Sequence, residues 1–365
     1  MGAPAGGDPA SPRTSLADYT TLGLGGPAET FVSAATEAAL IDAVRSADAS
    51  GLPVLLIGGG SNLVIADAGF DGTAVHVNSR GVSYAAADAG TVDVTVAAGE
   101  DWDDVVAATV AEGLAGLECL SGIPGRAGGT PVQNVGAYGH EVAEVITQVR
   151  VFDRQDDQIR TIPNEGCAFA YRASLFKSAS LSGQPRYVVL DVTFRLPRQD
   201  RSAPVKYAEL ATELGVEIGE KAGAGEVRAA VLKIRARKGM VLNPGDPDTR
   251  SAGSFFTNPV LSAAEFTRVE AAAAARGVTA VPQYAAGEGL VKVPAAWLIE
   301  HAGFAKGYGA PGPARISSKH TLALVNAGDA TTADLLALAR EIVSGVRATY
   351  GVTLTPEPIL VGVTL

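Results

Sequence analysis

Three side chains stand in settings that suggest chemistry: Ser254, Arg172 and Glu357. Residues 251–259 read Ser-Ala-Gly-Ser-Phe-Phe-Thr-Asn-Pro, so Ser254 follows small residues and precedes two bulky aromatics. That arrangement suggests a serine pinned at a tight backbone position against an apolar wall. The Gly-x-Ser-x-Gly pattern of a nucleophile elbow is absent. A serine that does not attack can still donate a proton, which points to chemistry that makes a carbanion. Arg172 lies in Ala-Tyr-Arg-Ala-Ser-Leu-Phe-Lys, residues 170–177. Its guanidinium can fork onto a carboxylate or phosphate, although most arginines are surface or structural. Glu357 sits between Pro356 and Pro358. The flanking rings would hold a carboxylate in place; the alternative is a solvated turn residue.

Two glycine-rich segments could position a ligand beside these groups. Gly58-Gly59-Gly60-Ser61-Asn62 follows the apolar run Val54–Ile57. Consecutive glycines let a backbone fold tightly and present N–H groups to an anion, so the segment is either a phosphate cradle or a plain turn. It is not a Walker A loop, and Leu63 occupies the third glycine's place of a Rossmann fingerprint. Gly122–Gly139 carries six glycines, too many for a helix or regular strand, while Ile123, Val132 and Val135 argue against disorder. Two such loops suggest a dinucleotide with an extended pyrophosphate. The four histidines, His76, His140, His301 and His320, have no partner motif, and no spacing of His, Asp or Glu suggests a metal.

The elements that must hold these residues read as α+β. Thr36 caps a predicted helix to about Ala49, with Leu40, Ile41 and Val44 as its apolar stripe. Strands are expected at 54–57, 73–77, 91–98 and 187–196, the last with Val188, Leu190, Val192, Phe194 and Leu196 on one face. A hairpin is expected over 148–162, turning at Asp156–Asp157, and a final strand pair is expected to bracket residues 355–358. Further helices are predicted at 102–112, 225–238, 262–276, 295–302 and 332–350. The chain divides into a disordered tail at 1–15, a region at 16–245 completed by 351–365, and a separate unit at 246–350. The first region splits near 75–80.

Composition bounds the function. With 365 residues and 47% apolar content the chain can bury a sizeable core. The formal charge is −10 and no long basic run occurs, so nucleic-acid binding lacks its electrostatic footprint. An anionic ligand would need locally concentrated cations. Cys119 and Cys167 form no Cys-x-x-Cys pair and read as reduced thiols of a cytoplasmic protein. No stretch approaches the ~20 apolar residues of a membrane span, and the N-terminus lacks a signal-peptide core.

Taken together, these segments resemble the UDP-N-acetylenolpyruvoylglucosamine reductases. The resemblance rests on residues 21–26 (Thr-Leu-Gly-Leu-Gly-Gly), Gly58–Asn62, Ile123–Gly125, Gln133–Gly139, Tyr171–Arg172, Ala252–Phe256, Trp297–Ile299 and Glu357, in order from Thr20 to Gly362. It implies an FAD-binding fold of the vanillyl-alcohol-oxidase (PCMH) type in two α+β subdomains, plus a separate α+β substrate domain. It implies NADPH-dependent reduction of UDP-N-acetylglucosamine enolpyruvate to UDP-N-acetylmuramate, through tightly bound, non-covalent FAD, for peptidoglycan synthesis. By the same resemblance Ser254 is the proton donor, and Arg172 and Glu357 complete the catalytic set. The FAD would be held by Gly58, Gly59, Gly60, Ser61, Asn62, Ser121, Gly122, Ile123, Pro124, Gly125, Gln133, Asn134, Gly136, Ala137, Tyr138 and Gly139. Tyr207 looks like the tyrosine that closes over the UDP-sugar in the subgroup with that insertion, and Lys238, Asn258 and Lys292 match substrate contacts. A monomer is expected, with no metal. Rival readings are an alcohol or sugar-lactone oxidase on the same FAD fold, a non-catalytic UDP-sugar-binding protein, and a serine hydrolase; the missing elbow disfavours the last.

Overall fold

The computed structural model describes residues 13–181 and 183–365. Its first layer is a parallel sheet ordered Ala28–Ala34, Phe70–Val77, Val54–Ile57. Parallel strands need a crossover, and the helix Glu37–Ala49 carries the chain from Ala28–Ala34 to Val54–Ile57, on either side of Phe70–Val77. Its cap is as the sequence predicts: the Thr36 hydroxyl accepts from the Ala39 amide at 3.2 Å, and Leu40, Ile41, Val44 and Ala47 are buried.

The chain then enters an antiparallel sheet of five strands, ordered Gln158–Pro163, Ile146–Asp153, Tyr187–Pro197, Thr91–Ala97, Val82–Asp88. Val188, Leu190, Val192, Phe194 and Leu196 are all buried and meet Val92, Val94 and Val96 in one core. Trp102 opens the helix Trp102–Ala111 beneath this sheet, packs 5.6 Å from Phe194, and donates its indole N–H to the Leu120 carbonyl at 3.0 Å. The strand Val82–Asp88 was not expected. It is an edge strand with nearly every residue exposed, so it shows no alternation to read.

Residues 208–214 and 224–237 form two helices around a small core of Leu210, Val227, Val231 and Ile234. Beyond residue 246 a larger core gathers Phe255, Phe256, Phe266, Val269, Leu298 and the helix Thr332–Tyr350, and it includes Leu22, Leu24 and Val64 from the start of the chain. The same helix is anchored at its N-terminus by the connection between Leu63–Ile65 and Phe70–Val77: Asp67 accepts from the amides of Thr332 (2.7 Å) and Ala333 (2.9 Å), placing a carboxylate on the positive end of the helix.

Two expectations are corrected. No strand pair brackets Glu357. Residues 351–358 hold only a single bridge, Phe256 to Pro356, because prolines 356 and 358 have no N–H to donate to a ladder. The one strand there, Ile359–Val361, runs parallel to Leu63–Ile65 in a separate two-stranded sheet, which returns the chain end to the N-terminal region. The tail expected over 1–15 does not extend to 15. Thr14 accepts from the Ala28 amide at 3.1 Å and Ser15 bridges to Pro27, while residues 1–12 lie outside the described residues. The α+β class is as expected.

Candidate active site

The two glycine-rich segments fold against each other. The Ser61 hydroxyl donates to the Pro124 carbonyl at 2.8 Å, and a Cβ on Gly59 would lie 2.7 Å from the Gly125 Cα. Glycine is therefore needed here first for loop-to-loop contact. Gly60 is the most constrained position: its φ is +61°, and a Cβ would lie 1.9 Å from the Tyr19 carbonyl oxygen. Left-handed backbone alone costs about 1–2 kcal/mol for a residue with a Cβ. Gly60→Ala is expected to lower the thermal midpoint clearly and to weaken cofactor retention, read by thermal melting and flavin release. Gly225→Ala is the contrast, since it sits in the helix Ala224–Arg237 with nothing within 4 Å of its Cβ, and it should raise the midpoint slightly.

These loops wall a cavity of about 380 Å³ that also receives Arg172, Lys177, Arg235, Gly253, Ser254 and Glu357. The fold brings the three from distant segments by specific bonds. The Glu357 amide donates to the Phe255 carbonyl at 2.9 Å, which sets the carboxylate beside the Ser254 segment. Gly253, just before the serine, has φ +72°, and Phe255 and Phe256, just after it, are fully buried in edge contact 5.1 Å apart. Arg172 lies in a turn closed by reciprocal 3.0 Å bonds between Ala170 and Ala173. The glycine-rich loop grips that turn: the Asn134 amide donates to the Ala170 carbonyl at 3.0 Å, and Ser174 donates to the Val132 carbonyl at 2.8 Å.

Arg172 Nε lies 2.9 Å from Glu357 Oε1. The contact is electrostatic, because this N–H has no hydrogen-bond partner. Burial raises the Glu357 carboxyl above its usual range, while Arg172 and then Lys177 pull it back. A second cavity, of about 630 Å³, opens on the other side of the pair and is lined by Tyr171, Asn258, Leu261, Arg268 and Tyr350 among others. Arg172, Lys177 and Glu357 belong to both walls.

The chemistry of the first cavity is set by its orphaned donors. Among the described residues, eight buried side-chain nitrogens and oxygens lack a hydrogen-bond partner. Five of them belong to residues that line this cavity: Asn62 Nδ2, Gln133 Nε2 and the Nε atoms of Arg126, Arg172 and Arg235. All five are N–H donors, and buried polar groups are ordinarily satisfied. A wall so rich in donors suits an anionic, acceptor-rich ligand, and a flavin dinucleotide, with its pyrophosphate and ring carbonyls, has that character. In a chain of net charge −10, four cations converge on the cavity against one carboxylate on its wall.

The expected residues divide into three groups. Gly58, Gly59, Gly60, Ser61, Asn62, Ile123, Pro124, Gly125, Gln133 and Gly136 line the cavity. Ser121, Gly122, Asn134, Ala137, Tyr138 and Gly139 do not. Ser121 is buried and donates to the Glu118 carbonyl at 2.7 Å, and Asn134 bonds Glu141 at 2.7 Å. Among the substrate residues, Tyr207 meets Tyr138 edge-on at 5.5 Å, and Lys238 pairs with Glu209. His320, near Lys238, is pushed down to about 4 by burial and then by that lysine, a sign of local positive potential. Asn258 lies on the second cavity and accepts from the Ala295 amide at 2.9 Å, and the Lys292 ammonium sits 4.6 Å over the Tyr171 ring. Arg126, Lys177 and Arg235 were not singled out from the sequence. A lone cation on a helix or loop has no periodic signature; only Arg126, inside the glycine-rich run, offered a signal.

A family model described as UDP-N-acetylenolpyruvoylglucosamine reductase, C-terminal domain, matches residues 246–361, and one described as FAD binding domain matches 28–162. The chain is 56% identical over 352 residues to a UDP-N-acetylenolpyruvoylglucosamine reductase of Thermobifida fusca, covering 96% of this chain and 97% of that one. It is 56% identical over 353 residues to the protein of that name in Streptomyces coelicolor, covering 96% and 90%. The crystal structure of UDP-N-acetylenolpyruvylglucosamine reductase from Thermus caldophilus superposes with a TM-score of 0.62 at 26% identity, covering 96% of this chain and 98% of that one. The chain belongs to the UDP-N-acetylenolpyruvoylglucosamine reductase family.

Proposed function

We propose that this protein reduces the enolpyruvyl group of UDP-N-acetylglucosamine enolpyruvate to give UDP-N-acetylmuramate, using NADPH and bound FAD. The observation that carries the reading is the meeting of Ser254, Arg172 and Glu357 on the wall of one cavity, lined by both glycine-rich loops and by four cations. FAD held by the 58–62 and 122–136 loops would supply the hydride chemistry, accepting from NADPH and delivering to the β-carbon of the enolpyruvyl double bond.

The chain's own residues handle the charge and the proton. Hydride arrival leaves negative charge on the substrate's α-carbon, delocalised into its carboxylate. Arg172 stabilises that charge with a fixed cation. Glu357 orients Arg172 through their 2.9 Å ion pair. Ser254 donates the proton to the α-carbon from one face. A hydroxyl is a weak acid, but an enolate carbon is far more basic, so the transfer is downhill when geometry allows it. Lys238, Asn258 and Lys292 hold the nucleotide-sugar, and Tyr207, an exposed ring, closes over it. Two buried free thiols, each pushed up to about 12 by burial, support a reducing compartment, and the reading extends to a cytoplasmic monomer. Among the described residues no helix is long and apolar enough to cross a membrane.

The test mixes purified holoenzyme with NADPH and UDP-N-acetylglucosamine enolpyruvate and follows NADPH absorbance. The expected result is consumption that depends on the sugar. Absence of sugar-dependent consumption, or a protein purified without flavin colour, overturns the reading.

A further inference from the structure

Lys177 takes part in no step above, yet it stands where the two cavities meet. It lies on the short helix Leu175–Ser178, whose first turn is fixed by Ser174: that hydroxyl accepts from the Lys177 amide at 3.2 Å and donates to the Val132 carbonyl at 2.8 Å. From this base the Lys177 ammonium donates to Gln133 Oε1 and to the Arg172 carbonyl oxygen, both at 3.0 Å.

Each bond constrains a neighbour. The Gln133 carboxamide, on a residue of the cavity wall, has its oxygen occupied, which leaves Nε2, a buried donor with no partner, as its remaining polar end. Which end of an amide faces a site is set by its hydrogen-bond network, and here a cation sets it. Arg172 has φ +53°, a left-handed conformation unfavourable for any residue with a Cβ. A charged donor on its carbonyl opposes relaxation of that turn and so holds the base of the guanidinium.

We propose that Lys177 is a positioning residue that ties the glycine-rich loop to Arg172, fixing the Gln133 amide toward the cofactor and the Arg172 guanidinium toward the reacting carboxylate. The proposal rests on the function proposed above. Its charge has a further effect. The titratable groups facing Glu357 are Arg172 and Tyr171 from the 170–173 turn and Lys177 from the short helix. Removing Lys177 takes away one of two cations there and raises the Glu357 carboxyl further.

The experiment compares holoenzymes of wild type, Lys177→Met and Lys177→Arg. Lys177 is exposed, so both variants should fold with near-native melting. In Lys177→Met, kcat for sugar-dependent turnover is expected to fall about tenfold or more. The limb of the pH profile governed by Glu357 should move to higher pH, and FAD should dissociate more readily from the protein. Lys177→Arg keeps the charge and both acceptors in reach, and should return the limb to its wild-type position. A Lys177→Met enzyme matching wild type in kcat and pH profile overturns the proposal. So does a loss of activity with the limb unmoved and no rescue by arginine, which marks packing alone. If wild type itself shows no sugar-dependent turnover, the proposed function has failed. FAD titration of the three apoproteins then decides Lys177 separately, equal affinity in all three overturning its hold on Gln133.

Discussion

Ser254→Ala is expected to accept hydride from NADPH at the wild-type rate and to transfer it to the enolpyruvyl sugar about 10²–10⁴-fold more slowly. The asymmetry follows from the role proposed for the side chain. The first half-reaction generates no carbanion in the substrate, so it needs no proton from this position. The second creates one basic carbon and requires a proton at one face. The substitution should leave the surroundings intact. Phe255 and Phe256 remain buried, the Phe255 amide still donates to the Leu322 carbonyl at 2.7 Å, and the Phe255 carbonyl still receives the Glu357 amide. Alanine is smaller than serine, so the turn following Gly253 is not crowded. Stopped-flow absorbance of the flavin separates the two steps. Near-wild-type rates in both would remove Ser254 from the chemistry, and equal slowing of both would indicate a displaced cofactor instead.

Arg172→Met should lower kcat about 10²–10³-fold, the usual effect of losing one group that stabilises charge developing in a transition state. Arg172→Lys should recover little of this. A lysine has no planar fork, and Arg172 Nη2 also reaches the Gly136 carbonyl, at 3.4 Å, from its place over the Tyr171 ring. The substitution also changes a pKa. Burial raises the Glu357 carboxyl, and Arg172 is the larger of two opposing influences. Without it the carboxyl rises further, so any limb of the pH–rate profile that needs ionised Glu357 shifts to higher pH. The direction is the same as for Lys177→Met and the shift should be larger. A kcat within about threefold of wild type, measured at saturating sugar, would be incompatible with the role assigned to Arg172.

Local physics was largely legible along the chain. The helix after Thr36 begins where its cap allows, the strand 187–197 buries the alternate residues that its pattern marks, and the hairpin turns at Asp156–Asp157, between Asp153 and Gln158. Each of these depends on side chains a few residues apart. Long, patternless pieces were missed for the same reason: Val82–Asp88 is exposed on both faces, and residues around Glu357 lack the amide donors that a strand pair needs.

For the site, residue types and neighbours determined the candidates themselves: a serine against an aromatic wall, an arginine on a tight turn, a glutamate between prolines and two glycine runs. Only the tertiary structure decided that they form one place. Ser254 and Glu357 meet because the Glu357 amide bonds to Phe255 and the strand after it pairs with Leu63–Ile65. Arg172 joins them because Asn134 and Ser174 bind its turn to the glycine-rich loop. Those are contacts between segments far apart in sequence, and a single chain carries no periodic trace of them. The same holds for Lys177 and Arg235, ordinary cations by sequence, which only the fold brings to the wall of the cavity.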